Sequence, residues 1–263
     1  MKKIITSMAM LAATSAHAEL PEFDITIVFD EGLTESQEAI FLEAEAYWES
    51  LITNYAYDVT FPTGLTITAS GEDIDGVSGV LGSASPTLGY SYAGITYAST
   101  GTMTFDTADL ADMEEDGSLY YVILHEMAHV IGYGTLWTYN DLYDEGTGQY
   151  TGEYALAEYQ AEFDSTATYI PVEQDGGTGT ADGHWDEDWA GGTEELMTGW
   201  YEGSAFISNT TLAQFMDLGY IVDFDSLVAV VPAPTVGAAT LLMFVLYRQQ
   251  KSKVNTEKGI VTC

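Results

Sequence analysis

In HEMAHVIG, His125 and His129 stand four residues apart, with Glu126 beside the first. On an α-helix such a pair differs by about 40° in azimuth, so both imidazoles leave one face. Two ring nitrogens placed that way can bind a single zinc ion, and the adjacent glutamate can reach a metal-bound water as general base. A catalytic zinc also needs a third protein ligand and an open position. Of the 4 histidines in the chain, His17 falls in a leader described below. His125, His129 and His184 then match the number that a three-histidine site requires, and His184 is the expected third ligand. The alternative is completion by a downstream glutamate, with Glu153, Glu158 or Glu162 in that place. It would leave His184 without a role.

The elements that must hold these residues follow from periodicity. SLYYVILHEMAHVIG (118–132) reads as one helix, with Ser118 as N-cap, Gly132 as its end, and Leu119, Val122, Ile123, Met127 and Val130 as its buried stripe. Gly132 is expected to turn the chain sharply out of the helix, in a left-handed conformation that costs glycine nothing. Upstream, FDITIVFD (23–30) alternates as a strand does. Thr34 to Gln37 has capping-box spacing and opens a helix with Ile40, Phe41, Ala44, Trp48, Leu51 and Ile52 on one face, expected to back a sheet. Residues 57–108 read as strands and turns, including LTITA and GTMTFD. Downstream come a loop rich in glycine and tyrosine, a short helix around ALAEYQAEF and the loop EQDGGTGTADGHWDED that carries His184. A last helix near TLAQFMDL is stopped by Gly219. The fold class is α+β: a mixed twisted sheet, a backing helix, an active-site helix and a looser C-terminal subdomain.

Both ends look like address labels. MKKIITSMAMLAATSAHA (1–18) has a basic start, an apolar stretch and the small-x-small signal Ala16-His17-Ala18, and reads as a secretory signal peptide. Residues 226–247 carry no charge and are followed by Arg248, Lys251, Lys253 and Lys258, a stretch long enough to span a bilayer. This segment, 226–263, resembles the Pro-Glu-Pro sorting signal handled by an exosortase in Gram-negative bacteria, although Ala233 replaces the glutamate; a plain C-terminal anchor is the alternative. The expected location is extracellular or at the cell surface. Between these ends lie an N-terminal catalytic subdomain (19–132) with the zinc helix and a C-terminal one (133–225).

All 6 basic residues sit at the two ends, so residues 19–247 contain none, while they hold 40 of the 41 acidic residues, Glu257 being the other. Nucleic acid is excluded as a partner, because phosphate contacts need cationic side chains. Self-repulsion on this scale suits a domain that works in salt or with divalent cations, and a monomer. DLYDEGTG (141–148) and DGHWDED (182–188) are carboxylate-rich loops of the kind Ca²⁺ favours, or simply acidic loops, since neither has EF-hand spacing. The only cysteine is Cys263, so the exported domain is expected to fold without a disulfide.

HEMAHVIGYGTLW followed far downstream by GHWDEDWAGGTEELMTG resembles the metzincin clan and, within it, the leishmanolysin-like zinc proteases, especially their secreted bacterial members. In the shorter metzincin motif the third histidine comes six residues after the second, where this chain has Thr135. The leishmanolysin-like group has an insertion between its glycine and its third histidine, matched here by Gly132 and His184. Met197 in ELMTG matches the Met-turn, the methionine that floors the metal. The similarity runs from about residue 23 to residue 225. It implies protein or peptide substrates, one catalytic zinc on His125, His129 and His184, and Glu126 as general base. It also implies a substrate extended along an exposed strand edge, for which GTMTFD is the candidate. Tyr201, near the Met-turn, is either an aid to the oxyanion or a packed aromatic. The chain departs from the protozoan enzymes in lacking their cysteines. A non-catalytic, calcium-dependent adhesin-like module on the same fold is the competing function.

Overall fold

The computed structural model describes residues 20–58, 64–201, 205–227 and 259–262. The leader, and all but the first two residues of the apolar stretch at 226–247, lie outside these. No helix among the described residues is long and apolar enough to cross a membrane.

Strand β1 (Ile25–Phe29) leads into helix α1 (Glu35–Leu51), which the capping box does open: Thr34 accepts from the Gln37 N–H while Gln37 Oε1 accepts from the Thr34 N–H. Phe41, Ala44, Trp48 and Leu51 form its buried stripe, and Ile52, expected to extend it, instead begins β2 (Ile52–Tyr55). Three long strands follow, β3 (Leu65–Glu72), β4 (Val80–Tyr92) and β5 (Ile95–Asp106). Helix α2 (Leu110–Asp116) was not legible, because only Leu110 and Met113 turn inward from a run of carboxylates. Then comes α3 (Leu119–Ile131), the histidine helix. The remainder is mostly loop, held by β6 (Gln149–Tyr150), α4 (Glu153–Glu162), β7 (Ile170–Pro171), β8 (Trp200–Tyr201), α5 (Asn209–Asp217), β9 (Tyr220–Val222) and β10 (Gly259–Thr262).

The main sheet is mixed, in the order β1-β3-β5-β4-β10-β8. β1, β3 and β5 are parallel, β4 runs antiparallel to β5, and β10 lies parallel to β4 and antiparallel to β8. Helix α1 packs on β1 and on α3, and α3 crosses β4 and β5. A buried bond from Trp48 Nε1 to the Leu124 carbonyl (3.1 Å) ties the helices together. The crossing is close enough that a Cβ at Gly101 of β5 would stand 2.2 Å from Val130 Cγ1.

The structure differs from two expectations. GTMTFD lies inside β5 and is paired on both sides, Thr102 with Thr68 of β3 and Ser85 of β4, so it offers no free edge. Alternation reveals a strand but not its neighbours, which are set by distant residues. Helix α3 is buried on nearly every side rather than along one stripe, and Ser118 precedes it without a side-chain capping bond. The looser C-terminal half adds to the one core an aromatic stack in which Trp137 lies over Trp185 (centroids 5.2 Å) and Trp185 over Trp189 (5.6 Å).

Residues 19–247 hold 40 acidic residues and no lysine or arginine to balance them. The melting temperature is expected to climb as NaCl is raised, because screening shortens from about 30 Å at 0.01 M to about 3 Å at 1 M. A thermal scan that is flat across that range would mean the repulsion is not felt.

Buried Asp106 accepts from the N–H groups of Ala108, Asp75 and Gly76 (2.9 Å each), and these bonds hold its carboxyl below the ordinary carboxylate range. Because the fold favours the ionised form, this stabilisation is present above the unfolded value of 3.8 and is lost as pH falls through the folded one. Asp106→Asn should therefore melt below the parent at pH 7, with the gap closing as the pH falls below 3.8. A gap independent of pH would assign the loss to packing instead.

Candidate metal centre

The three histidines meet. Their Nε2 atoms lie 2.8 Å apart for His125 and His129, 3.0 Å for His125 and His184, and 3.1 Å for His129 and His184. Each Nδ1 faces a backbone carbonyl: His125 that of Leu196 (2.6 Å), His129 that of Tyr133 (2.9 Å) and His184 that of Thr180 (2.8 Å). A carbonyl only accepts, so Nδ1 carries the ring proton and Nε2 presents a lone pair. Burial keeps the rings neutral, holding His125 and His129 well below the ordinary imidazole range and His184 down to about 4. Three lone pairs at this spacing cannot bond to one another. A cation shared among them would stabilise them, and three neutral imidazoles are a zinc donor set. Among the described residues this is the group of histidine, cysteine or carboxylate side chains that comes together in threes.

Placement of the three histidines depends on glycines as much as on helices. Gly132 (φ +136°) ends α3 in a backbone region open to glycine, and a Cβ there would press on Leu136 and Leu218 at 3.0 Å. Gly134 touches Gly183 directly: a Cβ on Gly134 would lie 2.4 Å from the Gly183 oxygen. That contact seats the loop bearing His184 against the chain leaving α3. Gly199 of ELMTG lies beside His184, where a Cβ would meet Thr180 Cγ2 at 2.4 Å. Met197 is fully buried, and its carbonyl accepts from the N–H of Trp185 (3.0 Å), the residue after His184. Sequence reasoning missed Gly134, Gly183 and Gly199, although the repeated glycines around HVIGYG, DGHW and MTG were the signal. Of Tyr201 the backbone is described, paired with Gly259.

Glu126 is buried, burial pushes its carboxyl well above the ordinary range, and neither oxygen has a hydrogen-bond partner. The side chain lies against β4, where a Cβ at Gly82 would be 3.2 Å from Glu126 Cγ and Oε1. A buried carboxyl left without partners is unfavourable unless the site brings a polar group to it, which suits a base for water. The alternative glutamates are elsewhere. Glu153 and Glu162 are exposed on α4 and Glu158 is half-buried there, and the Glu162 carboxylate receives the Asn209 and Thr210 N–H groups at the start of α5. The two acidic loops do meet, but through protein donors: Asp182 Oδ1 accepts from the Gly146 N–H, Gln174 Nε2 and the Tyr143 hydroxyl.

Past Ser83, nothing among the described residues pairs with the outer edge of β4. Residues 85–91 there line a groove of about 440 Å³ together with Thr135, Leu136 and Tyr139, which follow the histidine helix.

A mixed sheet over a helix bearing His-Glu-x-x-His, a third histidine after a long insertion and a methionine turn define a metzincin-like metallopeptidase. The family model for leishmanolysin matches residues 96–241, more than half of the chain, and the chain belongs to that zinc-dependent family. No match is found among curated proteins.

Proposed function

We propose that this protein is an exported zinc endopeptidase, with His125, His129 and His184 holding the metal and Glu126 acting as general base. The convergence of three lone-pair nitrogens in one buried group carries the reading. When bound, zinc supplies a Lewis acid that acidifies water to a pKa near ~7 and polarises a scissile carbonyl. Glu126, whose raised proton affinity comes from burial, takes a proton from water and gives it to the leaving amine. A peptide backbone can add to the outer edge of β4, with Leu88 and Tyr139 offering exposed apolar surface in the adjoining groove. β10 uses the same edge at Val80 and Ser83, so a peptide reaching those residues must displace it. The acidic field favours cationic peptides at low ionic strength.

Export rests on the basic, apolar and Ala-His-Ala segments of the first 18 residues, and retention at a membrane or handling by sorting machinery rests on residues 226–263. Neither requires calcium, whose removal by a selective chelator is a separate thermal-shift measurement.

The test is removal and return of the metal in the full chain. Peptides blocked at both ends should be cut internally, activity should vanish with 1,10-phenanthroline, and about one equivalent of zinc should restore it. Zinc binding without cleavage of any peptide would instead favour the non-catalytic surface module that the acidic composition suggests.

A further inference from the structure

Glu195 is a carboxylate in a place where carboxylates are costly. It is 2 % exposed, and no lysine or arginine exists between residues 19 and 247 to pair with it. Donors alone satisfy it: Oε2 accepts from the Met197 N–H (2.7 Å), Oε1 from the N–H (3.0 Å) and hydroxyl (3.1 Å) of Ser208, and the Thr211 side chain also bonds to the carboxyl. Ser208 is itself the N-cap of α5, its hydroxyl accepting from the Thr211 N–H. The carboxylate therefore closes the turn at residues 195–197 onto the start of a helix.

That turn carries both connections to the ligands. The Leu196 carbonyl receives His125 Nδ1 at 2.6 Å, and the Met197 carbonyl receives the N–H of Trp185, next to His184. A residue that fixes this turn fixes the ring plane of one ligand and the backbone beside another. We infer that Glu195 is a positioning residue for the metal centre, holding the Leu196 carbonyl where it keeps the Nε2 lone pair of His125 aimed at the ion. An amide in its place could accept from Ser208 but would turn an N–H₂ toward the Met197 N–H, donor against donor. Glutamate supplies acceptors on both sides, which is why an acid is used where no cation balances it.

The inference rests on the zinc reading, and the experiment separates the two. Zinc affinity by chelator competition and the absorption spectrum of the Co²⁺-substituted protein would be measured for the parent and Glu195→Gln, with folding followed by circular dichroism. Loss of a group that orients a ligand typically costs about 10–100-fold in metal affinity, and a fall of that size with a shifted Co²⁺ spectrum is expected. Glu162→Gln is the control: it changes a carboxylate at the same end of α5 that bonds Asn209 and Thr210 and makes no bond to residues 195–197, and should lower stability without moving zinc affinity. If Glu195→Gln does not fold, Glu195→Asp keeps the carboxyl group but withdraws it by one methylene, and should weaken zinc in the same way. Parent-like zinc affinity and Co²⁺ spectrum in a folded Glu195 variant, whatever its melting temperature, would overturn the assignment. A parent that binds no zinc would sink the metal reading itself.

Discussion

Glu126→Gln is expected to bind zinc as the parent does and to hydrolyse peptide about 10²–10⁴-fold more slowly, the usual worth of a positioned general base. The amide has the shape of the acid but cannot take a proton, so the change isolates proton transfer from packing. Glu126 belongs to no ligand set in the structure, since the converging group consists of His125, His129 and His184. Both its oxygens are buried without a partner, so a neutral replacement should not lower stability. Zinc content by elemental analysis, kcat on a blocked peptide and a melting curve test the three statements together. Zinc lost with activity would make Glu126 part of the metal's hold. Activity kept with zinc would remove it as the base.

His184→Ala should abolish both stoichiometric zinc and activity, whereas alanine at Glu153, Glu158 or Glu162 should leave both near the parent. The deletion removes one of three donors, and the loss should exceed the ~10–100-fold that goes with an outer partner of a ligand. It also leaves the Thr180 carbonyl facing a buried gap, so the metal-free variant should melt below the metal-free parent. Retained zinc in His184→Ala, with zinc lost in one glutamate variant, would restore the glutamate-liganded alternative. The structure argues against that outcome, because the carboxylate of Glu162 is engaged at the start of α5.

Much of the centre was determined by the chain alone. A helical period of 3.6 puts residues four apart on one face, so His125 and His129 had to point together once the segment was helical. Counting histidines singled out His184 because, once His17 is set aside with the expected leader, three remain and none is to spare. Gly132 ended the helix as expected, for positive φ is a local property that glycine reports by itself. Capping of α1 was legible for the same reason, being settled within four residues.

What the sequence could not decide was contact between distant segments. GTMTFD has the alternation of a strand, yet β3 and β4 close on both its sides, and the outer edge of β4 beyond Ser83 is left unpaired among the described residues. The meeting of Gly134 with Gly183 and the bond from His125 to the Leu196 carbonyl join positions with no sequence relation, fixed only when the loops pack. The character of Glu195 is of this kind too. Its neighbours in sequence make it one acid among 41, and only burial on the N-cap of α5 makes it the group that holds the methionine turn. Local geometry repeats with a period and can be read along the chain; burial and long-range hydrogen bonds depend on where other residues end up, and only the folded arrangement supplies them.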